Sequence, residues 1–117
     1  MYKFFKIEEF KCPCCGENRI DKKFVELLDY ARIEADTPFV ITSGYRCQKH
    51  NDKVKGVEES AHTLGLAADI RAETSSQRFL ILKSLIDIGF SRIGIAKTFI
   101  HVDMAKENKP QNVGWLY

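Results

Sequence analysis

The chain contains no apolar run approaching the ~20 residues that a helix needs to cross a bilayer, and its opening turns acidic at Glu8 and Glu9 before an apolar leader segment can form. A transmembrane segment is therefore not expected, nor a signal peptide, and cytoplasmic synthesis is. Charge of one sign is equally scarce. Lys+Arg 18 against Asp+Glu 16 leaves +2, far short of the basic stripe that neutralises successive phosphates, so nucleic acid is not an expected partner. Prolines stand only at 13, 38 and 110, no segment is low in complexity and no period repeats. One continuous domain over residues 1–117 is expected, and a chain of this length buries roughly two-thirds of its unfolded surface. Cysteine is sparse but uneven: Cys12, Cys14 and Cys15 crowd together, Cys47 stands alone, and no second Cys-x-x-Cys accompanies them. That pattern is compatible with a structural zinc, a disulfide or buried free thiols, and spacing alone does not choose among them.

What is present reads as alternating helices and strands. Phe24, Leu27, Leu28, Ala31 and Ala35 recur at helical spacing behind a capping Asp21, which predicts a helix over 21–35. Phe39 to Thr42 predicts a short buried strand delivering the loop Ser43-Gly44-Tyr45-Arg46. A second helix is expected over 75–88, capped by Thr74 or Ser75, ended by Gly89, and packed through Phe79, Leu82, Leu85 and Ile86. Leu66–Arg71, Ser91–Ala96 and Phe99–Met104 supply further strands, the last two joined tightly at Lys97-Thr98. The fold class expected is α+β, with a mostly antiparallel sheet and helices on one side.

Two of these strands carry polar residues where apolar ones would be ordinary. Alternation turns Leu66, Ala68 and Ile70 to one face and Ala67, Asp69 and Arg71 to the other; likewise Ile100, Val102 and Met104 oppose Phe99, His101 and Asp103. If the strands are neighbours, Asp69 and His101 form a cross-strand pair with Cβ atoms about 5 Å apart. His62 enters from the preceding loop, seven residues before Asp69, and Gly65 is placed to turn the chain back. A lone histidine is more often a hydrogen-bonded core or surface residue than a ligand. Here, however, two of only three histidines face an aspartate, and two imidazoles plus one carboxylate leave a tetrahedral Zn²⁺ one open position, the arrangement of a catalytic site. His50 falls in a polar turn and is not counted with them.

At these residues the sequence resembles the zinc D-Ala-D-Ala carboxypeptidase and murein endopeptidase superfamily, whose core also occurs in vancomycin-resistance dipeptidases and hedgehog domains. The resemblance rests on Ser43-Gly44-Tyr45-Arg46, His50-Asn51, Ser60-Ala61-His62-Thr63-Leu64-Gly65-Leu66-Ala67-Ala68-Asp69-Ile70 and Phe99-Ile100-His101-Val102-Asp103, in that order. It implies one Zn²⁺ on His62, Asp69 and His101, a hedgehog-like fold, and hydrolysis of an amide bond in peptidoglycan stem peptides, whether as carboxypeptidase or endopeptidase. It also implies that Arg46 grips a carboxylate or carbonyl of the peptide, a role that suits a planar guanidinium. Several members carry an acid three residues before the last histidine, where this chain has Thr98, which cannot take a proton from water. Asp103, about 7 Å beyond His101 along the strand, is then the expected base, with an orienting group or a surface carboxylate as its other readings; Glu58 and Glu59 are weaker candidates. With murein outside the membrane, a phage or prophage origin is expected, the protein acting after release or as a virion component. The rival expectation is a zinc-containing cell-wall or protein-binding module without turnover. Near the termini, Phe10-Lys-Cys-Pro-Cys-Cys-Gly resembles the cysteine-bearing openings of small members, and Gly114-Trp115-Leu116-Tyr117 is expected to pack at a core or edge.

Overall fold

The computed structural model describes residues 2–57 and 60–117. A five-stranded sheet forms the centre, in the order β1-β2-β4-β3-β5, from β1 (Ile41–Ser43), β2 (Ala67–Arg71), β3 (Arg92–Ile95), β4 (Phe99–Asp103) and β5 (Val113–Leu116). Three ladders are antiparallel and only β3–β5 is parallel. Helices α1 (Lys22–Ala35) and α3 (Ser75–Ile88) pack on each other and share one core with the sheet, while a short α2 (Gln48–Lys53) follows β1. The mixed α+β architecture with its helical layer is the one expected from the sequence.

Local chemistry sets the boundaries. The Asp21 carboxylate accepts from the Phe24 N–H at 2.9 Å and so caps α1. Thr74 and Gln77 form a reciprocal capping box at the start of α3, and Gly89 ends it at φ 112°. Between β3 and β4 the Ala96 N–H donates to the Phe99 carbonyl at 3.0 Å, closing the tight turn at Lys97-Thr98. Alternation then sorts the strands: Ala68, Ile70, Ile100 and Val102 enter the core with Phe24, Leu28, Ile81 and Leu85, each fully buried and each contributing about 1.5–3 kcal/mol if large. Ala67, Asp69, His101 and Asp103 take the opposite face.

Two expectations change. β1 begins two residues later than Phe39 and is an edge strand rather than a buried one, with Thr42 exposed and an irregular register against β2. Phe39 itself is buried, beside Phe5. In α3, Phe79 and Ile86 are exposed, and the buried face is Ile81, Ser84 and Leu85. Half of that helix is apolar and these residues are spread round its axis, so more than one stripe fits its sequence, and the packing against α1 selects among them. The C-terminal segment packs at an edge, as expected, with Val113–Leu116 forming β5, a parallel strand beside β3.

Candidate metal centre

The centre is built on the β2–β4 ladder. Asp69 and His101 are register partners, as alternation required of neighbours, and both are buried. His62 arrives from a compact turn in which the Thr63, Leu64 and Gly65 N–H groups donate to the Ser60, Ala61 and His62 carbonyls. Gly65 takes φ +72°, and a Cβ there would lie 2.0 Å from the Arg19 carbonyl oxygen, so only glycine lets this turn seat. The result brings His62, Asp69 and His101 together, with one potential ligand atom of each within 4.8 Å of the others.

The hydrogen bonds behind the rings decide which atoms those are. His62 Nδ1 lies 2.7 Å from the Gly44 carbonyl oxygen, which can only accept, so Nδ1 carries the proton. His101 Nε2 lies 2.7 Å from Asp103 Oδ2 and donates to it. The inner ring nitrogens, His62 Nε2 and His101 Nδ1, then face Asp69 Oδ1 at 3.3 and 2.9 Å. Two ring nitrogens and a carboxylate oxygen thus converge on one small region. That arrangement needs a cation, or extra protons, among the three atoms. Burial pushes the Asp69 carboxyl up, but His101 and His62 beside it outweigh this and hold it well below the usual carboxylate range. For His101 burial acts downwards, and the flanking Asp103 and Asp69 carboxylates reverse it to a raised value. The donor set fits a divalent metal of the zinc type, with each histidine oriented through its outer nitrogen.

Asp103 stands on the far side of the His101 ring from Asp69. Its Oδ2 accepts from His101, and its Oδ1 accepts from Arg92 Nε at 2.7 Å and from the Ala105 N–H at 3.1 Å. Burial raises its pKa, but the His101 and Arg92 hydrogen bonds bring it down on balance. The carboxylate thus accepts three hydrogen bonds and also lines the cleft. Arg92 was not singled out in the sequence. It is the β3 register partner of Asp103, donates to the Pro110 carbonyl at 2.8 Å and stacks on Trp115. An arginine opening an otherwise apolar Arg-Ile-Gly-Ile strand was the signal.

Arg46 sits beside the centre, held by Ser43 Oγ at 3.0 Å, Asn51 Oδ1 at 3.3 Å and Asp69 Oδ2 at 3.5 Å. Asn51 is completely buried and donates to the Val57 carbonyl, so it acts as a fixed post for the guanidinium. These contacts leave guanidinium donors unspent, and Arg46 lines a cleft of about 590 Å³ with His62, Asp69, His101, Trp115 and Tyr117. Trp115, on edge strand β5, and Tyr117 just beyond it therefore form a wall of the cleft. Thr98 is exposed in the β3–β4 turn and does not line the cleft. Glu58 and Glu59 lie outside the described residues. His50, on α2, stays apart from the metal-facing trio.

A buried His₂Asp trio facing an open cleft, with an arginine beside it, defines a metal-dependent hydrolase. A family model described as Peptidase M15 matches residues 3–103, and the chain belongs to that family. It is a metallopeptidase of the superfamily that the motifs resemble. A comparison with curated proteins returned no match.

Proposed function

We propose that this chain is a zinc peptidase that hydrolyses an amide bond in peptidoglycan stem peptides, with His62, Asp69 and His101 holding the ion and Arg46 binding the peptide. The observation that carries the reading is the convergence of one potential ligand atom each from His62, Asp69 and His101 beside an open cleft. A zinc ion held there supplies Lewis acidity that polarises a carbonyl and acidifies water towards neutral pH. The chain's own residues do the rest. Gly44 O and Asp103 Oδ2 hold the outer ring nitrogens in place, so each histidine turns its inner nitrogen towards Asp69. Asp103 is accordingly a positioning residue, acting through His101. Arg46, fixed on three sides, aims its remaining donors at a substrate carboxylate or at an oxyanion as charge develops. Trp115, braced by Arg92 and His101, offers an apolar wall that excludes water from one side.

The substrate lies outside the membrane, so the protein acts on the wall after release from the cell or as part of a virion, which fits a phage or prophage origin. A second reading is a metal-bearing module without turnover. It draws on one observation: among the described residues no carboxylate besides Asp69 and Asp103 lines the cleft, and both are engaged. Digestion of purified peptidoglycan with and without a zinc chelator separates the two readings. Chelator-sensitive fragments, identified by mass, support hydrolysis and identify the bond cut, distinguishing endopeptidase from carboxypeptidase. Intact murein in the presence of fully metal-loaded protein favours the module.

A further inference from the structure

The fold brings the four cysteines together, although Cys47 is 35 positions from Cys12. Their sulfurs all lie within 4.8 Å of one another. Cys47 Sγ is 3.6 Å from Cys12 Sγ and 3.5 Å from Cys14 Sγ. A disulfide needs sulfurs about 2.05 Å apart and joins them in pairs. Sulfurs bonded to one tetrahedral zinc at about 2.3 Å sit roughly 3.8 Å from each other, close to the spacing found. One sulfur, Cys47 Sγ, is shared between two others, which suits a common centre better than a pair. Backbone donors already serve the cluster: the Cys47 N–H points at Cys12 Sγ and the His50 N–H at Cys47 Sγ, both at 3.4 Å. The knuckle itself is closed by two bonds of 2.8 Å, from the Gly16 N–H to the Cys12 carbonyl and from the Cys12 N–H to the Glu17 carbonyl.

We propose that Cys12, Cys14, Cys15 and Cys47 form a second, purely structural zinc site that fastens the N-terminal knuckle to the loop carrying Arg46. All-sulfur donors select zinc over hard cations, and four of them fill a tetrahedral ion, leaving no position for substrate. On binding, each thiol gives its proton to solvent, and four thiolates with Zn²⁺ make a dianionic centre; no electrons move. Cys12 is fully buried while Cys14 and Cys15 are exposed, so the ion enters from the solvent side and the buried sulfur anchors it. Cys47 directly follows Arg46, and the same knuckle region grips the loop elsewhere. The Tyr45 N–H donates to the Phe10 carbonyl at 2.7 Å, Tyr45 Oη donates to Glu17, and a Cβ on Gly44 would lie 2.7 Å from Phe10 backbone. The site thereby braces both Arg46 and the Gly44 carbonyl that orients His62.

The site is tested apart from activity, by metal analysis and thiol counting on the full chain. Native protein should hold about two zinc ions, and Cys14→Ser and His62→Ala about one each. Because Cys14→Ser could disturb folding, wild-type protein supplies a second readout. Its cysteines should react with a thiol reagent only after a chelator is added, with about four thiols unmasked for each zinc released from this cluster. A native chain with a single zinc that His62→Ala abolishes overturns the proposal. So do thiols that react fully before chelation, a disulfide by non-reducing mass, or iron in place of zinc. Zinc retained in full by His62→Ala but lost in Cys14→Ser would instead overturn the assignment of the histidine centre and leave the cysteine site standing.

Discussion

The histidine centre and the cysteine cluster are both gatherings of potential metal ligands, but they are assembled by opposite means. Asp69 and His101 are register partners in the middle of a sheet, and each histidine is locked through its outer nitrogen by a carbonyl or a carboxylate. The cysteines come from a turn near the N-terminus and from the residue before α2, with two of the four exposed. A ladder can hold three ligands in place before any ion arrives, and it leaves the fourth direction open to the cleft. The cysteines stand on a knuckle and a loop tied by backbone hydrogen bonds, and their four sulfurs face one another. Three donors on a scaffold suit turnover; four donors on loops suit fastening.

The sharpest way to break this comparison is to remove the ligand that both histidines face. Asp69→Ala should abolish zinc at the histidine centre and lower peptide hydrolysis by about 10³-fold or more, while zinc at the cysteines remains. Metal stoichiometry and turnover, measured on the same sample, check it. Zinc retained in full would mean that the ladder does not hold the ion.

That prediction rests on a part of the molecule that was legible beforehand. Period-two alternation in Leu66–Arg71 and Phe99–Met104 separates core from site without knowledge of the fold, because side chains on a strand can only alternate. Capping residues and the Lys97-Thr98 turn were equally readable, since they obey local rules. Long-range facts were not. Arg92 is the exception, since the Lys97-Thr98 turn fixes the β3–β4 register and with it the Arg92–Asp103 pairing, although Arg92 was not singled out. β5 is a strand only because β3 offers it an edge. In α3 the sequence supports several apolar stripes, and packing against α1 leaves Phe79 and Ile86 outside. Cys47 joins Cys12 for the same reason: the meeting is made by topology.

Asp103→Asn probes the rigidity of the ladder one step back from the ligands. An amide cannot accept from Arg92 and His101 as a carboxylate does, and the buried Arg92 cation loses its partner. Zinc affinity should fall about 10–100-fold, and folding stability by roughly 3–5 kcal/mol. Raising free zinc should restore turnover if Asp103 acts by orienting His101. Activity that stays low at full zinc occupancy would restore it as the base.

Arg46→Lys leaves the metal ligands untouched and asks what the guanidinium does. Lysine keeps the charge but cannot span Ser43, Asn51 and Asp69 while also meeting a substrate carboxylate. A loss in kcat/KM of about 10- to 100-fold is expected, with zinc content unchanged. An unchanged kcat/KM on every cleaved peptide would return Arg46 to the status of a buried strut.

The smallest effect on chemistry is expected where the cysteines are cut. Cys14 is exposed and far along the chain from every residue of the cleft, so Cys14→Ser removes no group that touches substrate. Its cost should appear as stability: the melting temperature falls by about 10 °C or more, because the metal's binding energy is part of the folding energy of the knuckle. Turnover at a temperature well below that transition should drop less than about 5-fold, through looser placement of Arg46, and the loss should resemble a partial Arg46→Lys. The loop that carries Arg46 keeps its remaining ties, the Tyr45 N–H to Phe10 and the Arg46 N–H to His62, and these limit the damage. A collapse of activity with the fold intact would mean that the cysteine cluster takes part in the reaction, and the division between a working centre and a fastening one would fail.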